Sequence, residues 1–179
     1  ASGEVRPGLF GAHLRRTRGR HGVDHYSGCV RDGVRFSDGS RVTARDVIAS
    51  LRNAKPLMRI CEVALDGRHI VFSSKHEPGA LELELSRRWC GIFKRGPRGL
   101  LGSGPFAIQR ASTPERVVLE RNRFSLRPPR LDVIEYKVFD GPEAMKVELE
   151  RGGVHRSAAL GRDDVEGLSG FRRLYIPSH

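Results

Sequence analysis

Residues 31–51, RDGVRFSDGSRVTARDVIASL, set three structural instructions in a row. Gly33 marks one turn and Asp38-Gly39 a second, because glycine enters left-handed backbone freely and Asp hydrogen-bonds its own turn. Thr43 then stands where a helix N-cap belongs. Asp46, three residues on, is placed to reach back in a shortened capping box, and its charge suits the positive helix end. Val47, Ile48, Leu51 and Ala54 recur at helical spacing and form one apolar stripe. Pro56 is expected to stop the helix. The stretch contains no nucleophile–base pair and no metal-ligand spacing. The same punctuation runs through the chain, with 21 Gly and 10 Pro in 179 residues. It favours a turn-dense α/β or α+β fold over a helical bundle.

Residues 1–22 lack a pattern and read as loop, with contacts through Leu9, Phe10 and Leu14. Residues 25–31 read as a strand. A hairpin is expected from 60–65 and 68–73 about Asp66-Gly67, a pair suited to a type I′ turn. Val63, Leu65, Ile70 and Phe72 are its inward residues. Pro78 suits a helix start. In 79–89, Leu81, Leu85 and Trp89 have helical spacing whereas Leu81, Leu83 and Leu85 alternate as in a strand; the helix is preferred. The Gly-rich stretch 91–104 ends in Gly102-Ser103-Gly104-Pro105, the candidate boundary between sub-lobes. Strands follow at 105–110, 115–121 and 131–139, the first two joined across Ser112-Thr113-Pro114. Pro142 opens a helix at 142–151, with Ala144, Met145, Val147 and Leu149 available for packing, and Gly152-Gly153 ends it. A short helix near 162–168 and a strand at 171–176 complete the chain. No internal repeat is visible.

The net charge is +11. Of the basic residues only Lys55, Lys75, Lys94, Lys137 and Lys146 are lysine; the rest are arginine, spread along the chain. The densest cluster, Arg15-Arg16-Thr17-Arg18-Gly19-Arg20, has no aromatics to stack on bases. An arginine-biased composition is the preferred reading, and no nucleic-acid partner is expected. No apolar run reaches the roughly 18–20 residues of a membrane span, and no signal peptide is visible. Cys29, Cys61 and Cys90 have neither zinc nor CxxC spacing. One disulfide with a free thiol and three buried thiols are both compatible with that count.

No constellation carries chemistry. Gly102-Ser103-Gly104 lacks the lysine of a phosphate loop, and Pro105 removes a backbone donor. His21 and His25 are four apart, but Gly22 lies between them in an unpatterned segment, and His13, His69, His76, His155 and His179 are scattered. Asp163-Asp164 reads as a cap or solvated charge. No Gly-x-Ser-x-Gly elbow occurs. No catalytic residue, metal or cofactor is expected.

The order of several short motifs is more specific than any one of them. Val30–Ser40 with Val42–Val47 closely resembles "LRDGVKFHDGTPLTAEDV" of the family 5 extracellular solute-binding proteins. These are the oligopeptide, dipeptide and nickel receptors of ATP-binding-cassette importers. Gly102–Phe106 resembles that family's "GTGPY", Val118–Asn122 its "LERNPDYW", Leu131–Val138 its "LDEIEFRV", and Glu143–Gly152 the helix ending in "ALQSGEVD". The resemblance covers roughly residues 26–155. Phe124-Ser125 stand where the family has its tryptophan element, and Gly153 and His155 replace its acidic residues.

The resemblance implies an incomplete periplasmic-binding-protein-like type II fold. Residues 1–100 would form an insert-like subdomain and 101–179 part of the first lobe, without the opening strand and the second lobe. It implies binding without catalysis: capture of a peptide or small solute outside the cytoplasm and delivery to a membrane permease. Gly102, Ser103, Gly104, Pro105 and Phe106 lie at the inferred lobe junction and are the expected ligand contacts. The alternative is a ligand-sensing regulatory or protein-interaction module on the same fold, with self-association through an exposed sheet edge. An enzyme using Cys or His chemistry is the least supported reading.

Overall fold

A computed structural model of the chain describes residues 8–76, 79–97, 99–109, 112–157 and 160. The chain divides into two compact units: one runs up to Ser112 and resumes over Val117–Glu135, and the other takes Thr113–Arg116 and the chain from Tyr136 on. Pro78, the helix expected near 162–168, Asp163-Asp164 and the strand expected at 171–176 lie outside the described residues.

The first unit is built on a four-stranded antiparallel sheet of β1 (Arg15–Arg18), β2 (Asp24–Gly28), β3 (Cys61–Asp66) and β4 (His69–Ser74), in the order β1-β2-β4-β3. Strand β1 replaces the expected loop. Its residues are all exposed, so they carry no apolar alternation to betray a strand. Pairing of Arg16 with Tyr26 sets its register, and an Arg16–Asp24 salt bridge of 2.6 Å supports it. Arginines along this outer strand discourage another chain from adding to the sheet.

In the β3–β4 hairpin Asp66 pairs with His69, which leaves Gly67-Arg68 as the two-residue loop. Gly67 has φ +56° and Arg68 does not enter the left-handed region. That is the sign pattern of a type II′ turn, one residue later than the type I′ turn expected at Asp66-Gly67. Val63, Ile70 and Phe72 point inward as expected. Leu65 does not: it is 40% exposed, one residue from the end of the outer strand.

Helix α1 (Ala44–Leu51) begins at the expected cap. Thr43 Oγ1 accepts from the Asp46 amide at 3.3 Å, and the Asp46 carboxylate accepts from the Thr43 amide at 2.8 Å. Val47, Ile48 and Leu51 form its buried stripe. Pro56 does not stop this helix, which ends at Leu51. It lies in the first turn of α2 (Lys55–Ile60), where its missing N–H has no intrahelical acceptor to lose. Helix α3 (Ala80–Leu85) buries Leu81 and exposes Leu83 at 51%, as a helix does and an alternating strand does not. Trp89 leaves this helix and lies in a separate 3-10 turn, Arg88–Cys90. Two strands the glycines had hidden follow, β5 (Phe93–Gly96) and β6 (Gly99–Gly102), paired as a hairpin.

The core lies between the sheet and these helices. Phe36, Val47, Leu57, Ile70 and Phe72 are wholly buried, each stabilising the fold by roughly 1.5–3 kcal/mol of side-chain burial. Leu9, Phe10 and Leu14 pack against it as expected, with the Phe10 and Phe72 rings edge to face at 6.0 Å.

Strands β7 (Phe106–Ile108), β8 (Arg116–Arg121) and β9 (Val133–Lys137) form a smaller sheet in that order, β7 antiparallel to β8. Helix α4 (Pro142–Glu150) opens at Pro142 and ends before Gly152, φ +74°. Of its four expected packing residues only Leu149 is buried and Met145 half-buried; Ala144 and Val147 are exposed. No helix among the described residues is long and apolar enough to cross a membrane.

Candidate functional site

Gly102–Phe106 carry the chain from the end of β6 into β7. Gly104 and Pro105 are exposed, and Gly102, Ser103 and Phe106 are half-buried. Accounting for backbone groups shows what this segment is doing. The Gly102 carbonyl accepts from the Ser37 amide at 2.9 Å, and the Ser103 amide donates to the Ile92 carbonyl at 3.1 Å. The Gly104 carbonyl accepts from Asn122 Nδ2 at 2.7 Å, and the Pro105 carbonyl from the Asn122 amide at 2.9 Å. Three carbonyls of the segment are therefore held by protein donors. Among the described residues the Gly104 N–H donates to no protein group, and a side chain at Gly104 would meet open space.

Asn122 holds this arrangement. It is 2% exposed. Its Nδ2 donates to Gly104, and its Oδ1 accepts from the Phe124 amide at 3.0 Å. The amide orientation follows from its partners, since a carbonyl only accepts and an N–H only donates. Phe124 in turn lies over Gly39: a Cβ at Gly39 would come within 2.9 Å of the ring, and Gly39 has φ +87°. Segments 31–42, 102–106 and 118–126 thus meet at one place, joined by Ser37–Gly102, Asn122–Gly104 and Phe124–Gly39. Sequence reading placed the motifs but missed Asn122 as their clasp. Its place at the end of the Val118–Asn122 motif, just after a strand and before a turn, is the signal that could have found it.

Charged side chains are fixed around this junction: Arg35 donates to the Gly39 carbonyl at 2.7 Å, and the Arg123 guanidinium lies 4.8 Å from the centre of the Phe124 ring. Ser40 donates to Asp38 through its hydroxyl and through its amide at 2.9 Å, and these bonds hold the Asp38 carboxyl below its ordinary range. Lys94 Nζ donates to Ser40 Oγ at 2.7 Å and lies 4.5 Å above the Phe36 ring. Among the described residues no group of three or more His, Cys, Asp or Glu is placed to hold a metal ion. His25 instead shares a 2.9 Å hydrogen bond with Ser73. The three cysteines are free thiols, Cys29 exposed and the others buried. Burial pushes the Cys61 and Cys90 thiols up to about 11, so neither is a ready nucleophile.

Among the described residues the arrangement offers one open backbone donor, the Gly104 N–H, rather than reacting groups. The sequence matches the family model of bacterial extracellular solute-binding proteins, family 5, over residues 29–176. The chain belongs to that family. No curated protein matches the sequence. Among solved structures, it is similar to NikZ from Campylobacter jejuni in complex with Ni(L-His), at 19% identity and a TM-score of 0.64 over 84% of this chain and 35% of that one. It is similar to NikA from Brucella suis in complex with Fe(III)-EDTA, at 22% identity and 0.64 over 85% and 34%. It is also similar to AgaA from A. tumefaciens R10 in complex with agropinic acid, at 17% identity and 0.66 over 85% and 34%. These likenesses establish a periplasmic-binding-protein-like fold, present in part, since the chain spans about a third of the length of those structures. The family consists of extracellular or periplasmic solute-binding proteins of ABC importers, which bind rather than transform their cargo.

Proposed function

We propose that this family 5 chain supplies one wall of a cleft that captures a peptide or another small solute for an ABC importer. The match over residues 29–176 carries the reading. The solutes in the similar structures, Ni(L-His), Fe(III)-EDTA and agropinic acid, give it a chemical range of small polar solutes and metal complexes. In this reading residues 1–100 act as the insert-like subdomain and 101–179 as part of the first lobe. The partner is a membrane permease and the compartment is extracytoplasmic. Contact falls on Gly102–Phe106, above all on Gly104, whose N–H is unengaged among the described residues and whose surface is open. Capture requires no catalytic group; lobe closure would present the load.

A thermal-shift screen of the full chain against peptide pools, Ni(L-His) and metal chelates tests this, because a ligand of the folded state raises Tm by mass action. A dose-dependent rise is expected for one solute class. Gly104→Trp should keep the unliganded Tm, since the site is open, and abolish that rise. If no solute class shifts Tm, the cleft reading fails. A rise that survives Gly104→Trp would move the contact elsewhere.

A further inference from the structure

A concavity in the first unit is lined by none of Gly102–Phe106, and the cleft reading makes no use of it. Its volume is about 430 Å³, within the range of small-molecule sites. The loop after β2, the entry to α1 and the tip of the β3–β4 hairpin line it. Its floor is apolar: Val34 and Val42 are buried there, and Leu65 adds exposed apolar surface. Its rim is basic. Arg31, Arg41, Arg45 and Arg68 line it, against one carboxylate, Asp32.

The pairing state of these arginines is informative. Arg31 is half-buried and donates to the Phe10 carbonyl at 3.3 Å. Among the described residues, no hydrogen bond or ion pair ties the side chain of Arg41, Arg45 or Arg68 to the protein. The nearest carboxylate on α1, Asp46, is committed to the helix cap. Four like charges around one concavity repel one another, so anything that neutralises them binds with a gain. Guanidinium groups match carboxylate and phosphate oxygens in paired hydrogen bonds. The Leu65 exposure that contradicts the inward pattern also has a use here: it offers apolar contact to a ligand body.

We propose that this groove binds a small soluble organic polyanion carrying phosphate or carboxylate groups. The anionic groups engage Arg41, Arg45 and Arg68, and the ligand body lies over Val34, Val42 and Leu65. A volume of about 430 Å³ matches a small molecule better than a lipid surface or a nucleic-acid strand.

Cys29 provides the readout. It lines the groove and is the one exposed cysteine, while Cys61 and Cys90 are buried with raised thiol pKa values. A neutral maleimide should therefore modify Cys29 selectively, with the site checked by mass spectrometry. Pyrophosphate and citrate are the probes, against sodium chloride at matched ionic strength. At four times its dissociation constant a bound probe should slow modification about fivefold by mass action. In Arg41→Gln/Arg45→Gln/Arg68→Gln, three exposed changes checked by circular dichroism, the same probe should no longer slow it. Slowing no greater than with chloride overturns the proposal, and so does slowing that persists in the triple variant. A third arm uses vesicles containing phosphatidylglycerol. Protection by vesicles with none from pyrophosphate or citrate would identify a lipid headgroup surface and overturn the soluble-ligand assignment. None of these outcomes depends on the Gly104 cleft, which Gly104→Trp probes separately.

Discussion

Replacing Asn122 by alanine removes the clasp on Gly104 and leaves the rest of the chain untouched. Two side-chain hydrogen bonds disappear, Nδ2 to the Gly104 carbonyl at 2.7 Å and the Phe124 amide to Oδ1 at 3.0 Å. The backbone bond from Asn122 to Pro105 survives. Each lost bond is worth about 0.5–1.5 kcal/mol net, so the pair is worth about 1–3 kcal/mol. Gly104 is exposed and Phe124 half-buried, so both abandoned groups reach water in part. That places the cost near the middle of the range, about 2 kcal/mol. For a chain of this size the Tm should fall by about 4–8 °C. Asn122→Asp sharpens the test. It keeps an acceptor for Phe124 but sets a carboxylate oxygen against the Gly104 carbonyl, so at neutral pH it should be no more stable than the alanine variant. At acid pH the protonated carboxyl can donate again, and the gap to wild type should narrow. Circular-dichroism melts of the three proteins across pH are sufficient. If Asn122→Ala melts within about 1 °C of wild type, the clasp does not hold the segment and the reasoning fails.

Three further outcomes follow from buried or bonded groups. Ser50 is 1% exposed and accepts from the Phe93 amide at 3.0 Å, tying α1 to β5; Ser50→Ala should cost about 1–3 kcal/mol in denaturant unfolding, and a cost below measurement error would refute the tie. Cys61 and Cys90 have folded pKa values raised to about 11 from 9.0, so the unfolded chain releases these protons first. Stability should be flat below pH 9 and fall between about 9 and 11, with that fall reduced in Cys61→Ala/Cys90→Ala. The Asp38 carboxyl is lowered from 3.8, chiefly by Ser40; its contribution is present above that value and lost as pH falls through the folded pKa. Melts from pH 5 to 2 should show an acid-side loss that Asp38→Asn lacks.

What the sequence disclosed was local. The Thr43–Asp46 cap, the turns at Gly33 and Gly39, the α1 stripe, the β7–β8 hairpin and the helix opened by Pro142 each depend on residues a few positions apart. The errors share a different cause. Strand β1 consists of arginines and threonine, and its identity comes from pairing with β2 rather than from its own propensity. The β5–β6 hairpin is Gly-rich, so its pairing overrides the glycine signal. Pro56 is compatible with a helix end and with a helix start, and only the chain on either side decides between them.

The candidate site was legible in the same uneven way. Gly102–Phe106 can be located because the motif order marks them, yet three of their carbonyls serve Ser37 and Asn122. Those bonds span 65 residues in one direction and 18 in the other, taking Ser37 to Gly102 and Gly104 to Asn122, and no window on the sequence contains both ends. This explains why so recognisable a set of motifs carries so little chemistry. Gly33, Gly39, Thr43 and Asn122 are held to their identities by backbone geometry and buried hydrogen bonds, demands that a scaffold imposes whatever its cargo. The two proposed binding sites fall on residues under no such demand: the open surface of Gly104 for the solute, and, for a polyanion, the arginines Arg41, Arg45 and Arg68, whose side chains make no hydrogen bond or ion pair to the protein among the described residues.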